Sequence, residues 1–136
     1  MKRYTSEKEI LNLLEQFEGG TIAREDWGHP EHLVVALCFI ARNDLKIAIE
    51  KMRNGIFNLL PSFGVDLTND MPYHETLTIF WMTAVADFYD ERRGAPIVDV
   101  VNDMVAKFDK DYPLRFYSRD VLFSDRARAE FVKGDL

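Results

Sequence analysis

Apolar residues recur at every third or fourth position along nearly the whole chain, and strand-like alternation is nearly absent. That spacing collects apolar groups on one side of a helix, because an α-helix turns once in ~3.6 residues. Prolines and glycines punctuate the pattern. Pro30, Pro72 and Pro96 stand where helices can begin, since a first-turn residue has no intrahelical use for its N–H. Gly19-Gly20, Gly94 and Gly134 stand where helices can end.

The segments follow. Thr5 or Ser6 with Glu9 makes a capping signal for a helix over 5–18, whose apolar stripe is Ile10, Leu13, Leu14 and Phe17. Thr21 to His29 has no helical period and reads as a connector. Pro30 leads into a strongly apolar helix through Arg42, and Asn43-Asp44 restarts the chain into a helix ending near Leu60, with Gly55 its weak point. Residues 61–71 read as a loop. A helix from Pro72 to Arg93 is apolar over most of its circumference and is expected to be central, packed on several sides. Pro96 to Phe108 and Ser124 to Val132 complete the set, with Tyr112-Pro113 breaking the chain between them. The fold class is all-α: one compact domain over residues 1–136, a bundle of five to seven helices.

Composition narrows the function classes. A net charge of −6 without a basic cluster argues against a nucleic-acid partner, because phosphate neutralisation needs concentrated Lys and Arg. The longest apolar run, Leu33 to Ala41, is nine residues, against the ~20 that cross a bilayer, so no membrane span is expected. Met1 to Ile10 is charged and leads into no apolar signal segment. The lone Cys38 lies in that apolar run and has no internal partner for a disulfide; it reads as an inert core thiol and suits a reducing, cytoplasmic setting.

The three histidines carry the chemistry. They fall in two short segments, Trp27-Gly28-His29-Pro30-Glu31-His32 and Tyr73-His74-Glu75-Thr76, each placed at a helix start. His29 and His32 are three apart and can face one place; if the two helix starts are neighbours, His74 joins them. Three imidazoles form the protein half of a catalytic zinc site, whereas two with a carboxylate from Glu31 or Glu75 suit non-haem iron. The metal expectation is therefore His29, His32 and His74 around a divalent ion (Zn, Fe, Ni or Mn). Glu75 and His74 are the candidate catalytic groups, acting on a water of lowered pKa. Helix starts also favour anions, so an anionic small molecule is an equally natural occupant. Trp27, Tyr73, Thr78, Trp81 and Arg119 are the candidate ligand-binding residues. Trp81 lies seven residues beyond His74, on nearly the same helix face. Arg119 with Arg115 could grip a carboxylate, though pairing with Asp111 or Asp120 competes, and Arg126, Arg128 and Glu130 read as a solvated face. The loop Gly64 to Asp70 is a candidate cover for the pocket.

Trp27-x-His29-x-x-His32-Leu33, Tyr73-His74-Glu75-Thr76-x-Thr78 and Tyr117-Ser118-Arg119 through Ala127-Arg128 resemble a family of small uncharacterised bacterial helical proteins. The resemblance spans most of the chain and supports these positions without implying a reaction. Members of that family often carry Pro before Asp-Leu, where this chain has Gly134. The leading expectation is a histidine-lined small-molecule pocket at two helix N-termini, with a divalent-metal-dependent hydrolase-like reaction as its catalytic form. The alternative is a non-catalytic helical module that binds a ligand or another protein, with a homodimer among the candidate assemblies.

Overall fold

Five of the seven described α-helices begin where a cap side chain accepts from an N–H of the first turn. The computed structural model describes residues 3–67 and 72–136. Ser6 accepts from Glu9 N at 3.2 Å and opens α1 (Glu7–Glu18). Asp44 accepts from Ile47 N at 2.9 Å and opens α3 (Leu45–Ser62). Between these two, α2 spans His29–Arg42; α4 (Glu75–Asp90) and α5 (Ile97–Lys107) follow. Ser118 and Ser124 cap two short helices, α6 (Arg119–Leu122) and α7 (Asp125–Ala129). The architecture is all-α, with seven α-helices, two short 3-10 turns and no strand among the described residues. No described helix is long and apolar enough to cross a membrane.

The core is built around α2, where every residue from Leu33 to Ile40 is buried. It packs against α1, α3, α4 and α5. The expected central helix, α4, shares that position by packing on α2, α3, α5 and α7. Gly55 does not interrupt α3. The helix runs through it, and the fully buried Phe17 ring lies where a Cβ would stand.

Several boundaries differ from the sequence expectation, among them α3, which runs through Pro61 to Ser62, and for three of them a hydrogen bond gives the reason. The helix expected from Pro30 starts at His29 with Gly28 as its cap, whose N–H donates to Glu31 Oε1 at 2.8 Å. The helix expected from Pro72 starts at Glu75, because the His74 ring takes the cap, accepting from Leu77 N at 3.1 Å. The helix expected to reach Val132 stops at Ala129 because its next peptide groups bond elsewhere. The Thr76 hydroxyl donates to Glu130 O (2.9 Å) and accepts from Val132 N (3.1 Å), while Tyr117 OH donates to Val132 O at 2.5 Å. Residues 130–136 therefore run across the start of α4 and on to Ser118 and Phe116, where Asp135 Oδ1 accepts from Ser118 N at 2.8 Å. Gly134 permits this path, since a Cβ there would collide with the Phe116 carbonyl.

Candidate functional site

The start of α2 uses its polar groups internally. The His29 ring packs 4.9 Å from Trp81, and its Nε2 donates to Phe108 O at 2.8 Å, tying α2 to the end of α5. The His32 ring lies 5.7 Å from Trp27, and its Nε2 is sealed from solvent without a hydrogen-bond partner among the described residues. Burial, reinforced by the nearby His29, pushes its pKa down to about 4, so the ring is neutral at ordinary pH. Trp27 stacks on Phe17 at 5.0 Å, and Trp81 is only 4% exposed. Both indoles are packing groups.

His74 stands apart from that pair. Its Nδ1 caps α4, and its Nε2 donates to Leu122 O at 2.6 Å, which fixes the proton on Nε2 and pins α4 to α6. Burial draws its pKa down, and Arg128 acts in the same direction. Thr78 donates to His74 O at 3.1 Å and is buried. His29 and His74 thus bond different backbone carbonyls, of Phe108 and Leu122, and His32 Nε2 bonds none among the described residues. No group of three His, Cys, Asp or Glu side chains among the described residues is placed to hold a metal ion.

What the α4 start does build is a cavity of about 460 Å³ between α3, α4 and α7. Arg53 and Phe57 enter from α3, Tyr73 and Glu75 from the start of α4, and Asp125 and Arg128 from α7. Arg53 holds Glu75 with both arms of its fork, Nε to Oε1 at 3.0 Å and Nη2 to Oε2 at 2.7 Å. Tyr73 OH donates to the same Oε1 at 2.5 Å, and its ring packs 4.7 Å from Phe57. Burial alone would raise the Glu75 carboxyl, but the Arg53 guanidinium and the Tyr73 hydroxyl outweigh it and hold the pKa below the ordinary value. Burial and the adjacent carboxylate push Tyr73 up to about 12.

Of the charged lining residues, Arg128 and the exposed Asp125 have no ion pair among the described residues. Arg128 is half-buried and faces the cavity. The solvated face expected for this helix holds for Arg126 and Glu130, which pair at 2.9 Å, and not for Arg128. Arg119 and Arg115 are exposed, with no ion pair to Asp111 or Asp120 among the described residues; Arg115 instead lies over the Tyr112 ring at 5.1 Å. Cys38 is buried, and burial raises its thiol to about 11, so it is inert at neutral pH. Of the expected covering loop, Thr68, Asn69 and Asp70 lie outside the described residues.

Sequence reasoning named Tyr73 and Glu75 but missed Arg53, Phe57, Asp125 and Arg128 as their companions. Arg53 is one of many cations on an amphipathic helix, and only the packing of α3 on α4 singles it out. A faint signal for Arg128 existed in the Ala127-Arg128 portion of the resemblance. No protein-family model, curated protein or solved structure matches the chain.

Proposed function

We propose that the protein is a non-catalytic ligand-binding module that takes a small carboxylate or phosphate with an apolar body at the start of α4. The observation that carries this reading is Arg128, a half-buried guanidinium with no carboxylate partner among the described residues, beside a cavity with an aromatic floor. Guanidinium binds such anions through paired hydrogen bonds, which gain strength in a partly desolvated site. The Arg53–Glu75–Tyr73 network acts as the rigid wall that positions the ligand. Phe57 meets the apolar part.

The titration of these groups favours binding over acid–base chemistry. A general acid or base works best with a pKa near the operating pH. Glu75 is held low, Tyr73 is pushed up to about 12, and both His74 nitrogens are engaged in the fold. The metal-dependent hydrolytic form has less support, because a cation at His74 would have to take a nitrogen now given to Leu122 O or Leu77 N.

The test is calorimetric titration of untagged protein with benzoate, phenyl phosphate and benzyl alcohol. The two anions should bind, with the alcohol at least about tenfold weaker, and Arg128→Gln should remove most of that difference. Anions that bind no better than the alcohol, or an Arg128→Gln protein with unchanged affinity, would refute the proposal.

A further inference from the structure

A second concavity lies on the far half of α4, and it shares no lining residue with the anion site. It is an open groove of about 340 Å³ lined by Phe80, Phe88, Phe108, Tyr112, Phe116 and Phe131. Phe80, Tyr112 and Phe116 form a triangle with ring centres 5.5 to 6.0 Å apart. Phe116 and Phe131 are 41% and 44% exposed, which keeps two large apolar rings in water. Concave aromatic surface of this size is characteristic of ligand sites.

Charge selects the occupant. Asp87 near the end of α4 and Glu91, its C-cap, are both exposed and both line the groove. Asp87 has no cation within ion-pair distance among the described residues, and Glu91 reaches only its neighbour Arg92, at 3.4 Å. The rings themselves attract cations, because the face of an aromatic ring is electron-rich. The chain already shows this: the Arg92 guanidinium lies 3.6 Å over Phe88, and Lys107 Nζ lies 5.6 Å from Phe88 and 5.5 Å from Phe108. The lining residues carry two carboxylates and one lysine, and Arg92 pairs with Glu91, so Asp87 is the lining carboxylate left without an ion pair among the described residues, and it favours a positive guest.

We propose that this groove binds a small organic cation, an ammonium group carrying an aromatic or branched apolar body. The apolar part rests on the Phe80–Tyr112–Phe116 triangle, and the charge lies between the ring faces and the carboxylates of Asp87 and Glu91. Phe131 closes the outer wall. Its flanking residues are fastened to Thr76 and Tyr117, so the wall stands before any ligand arrives.

Titration with benzyltrimethylammonium, against benzyl alcohol as the neutral comparator, tests this by calorimetry and by amide chemical shifts. The cation should bind about tenfold tighter than the alcohol, and shifts should cluster at residues 80–91, 112–117 and 131. Two variants change exposed side chains and so spare the fold. Asp87→Asn with Glu91→Gln should cost the cation about fivefold or more while leaving the alcohol unaffected, and Phe131→Ala should weaken both. Arg128→Gln should leave cation binding unchanged, which separates this site from the anion site. Equal affinity for cation and alcohol, or binding indifferent to Phe131→Ala, would overturn the proposal. So would a dimer in light scattering that Phe131→Ala splits, because the groove would then hold a second copy of the chain.

Discussion

Replacing the half-buried His32 with leucine should remove an acid-sensitive group from the start of α2. The ring nitrogen Nε2 is sealed without a partner among the described residues, and burial holds the folded-state pKa near 4 against an ordinary 6.5. Between those values the unfolded chain takes up a proton that the folded chain refuses. Stability is therefore fully present above about pH 6.5 and declines as pH falls toward 4. At 1.36 kcal/mol per pKa unit, integrated to a pH near 4.5, His32 costs the wild type about 2–3 kcal/mol relative to neutral pH. Leucine cannot titrate and leaves no orphaned nitrogen. Urea unfolding followed by circular dichroism near pH 7.5 and pH 4.5 measures both proteins. The difference between the two curves reports His32 together with its coupling to His29. The variant should match the wild type to within about 1 kcal/mol at neutral pH and exceed it by about 2–3 kcal/mol in acid. Curves that stay parallel across this range would refute the assignment of a neutral ring with a sealed nitrogen.

Gly55→Ala should destabilise, although helix propensity alone favours alanine by about 1 kcal/mol. The new methyl meets the Phe17 ring, which is fully buried and stacked on Trp27, and overpacking of this kind costs about 1–3 kcal/mol. A higher urea midpoint for the variant would contradict that packing. Thr76→Val should cost about 1–3 kcal/mol and make residues 130–136 sensitive to protease, since Val132 N and Glu130 O lose their shared partner. Unchanged proteolysis would show that other contacts hold the segment. Dialysis of untagged protein against a chelator should leave its melting temperature unchanged. A rise of several degrees on adding stoichiometric zinc would instead return His29, His32 and His74 to the role of ligands.

The helical class and most helix starts were legible because their causes are local. Capping by Ser6, Asp44 and Ser124 acts within three residues, and the apolar spacing of Ile10, Leu14 and Phe17 names the buried face without reference to other helices. Local rules failed where a distant group outbid the helix. Val132 left α7 for the hydroxyl of Thr76, and His74 became a cap while its other nitrogen bonded Leu122.

The histidine segments drew attention from spacing alone, yet spacing says nothing about which helix ends meet. Packing of α4 against α3 and α7 decided that Tyr73 and Glu75 would face Arg53 and Arg128 rather than His29 and His32. The same packing put Phe131 opposite Phe80, about fifty residues away along the chain, which is how an aromatic groove arose from rings on separate elements. Side-chain periodicity resolves one helix at a time. Sites are made between helices, where relative placement comes from the joint burial of many faces and no single segment encodes it.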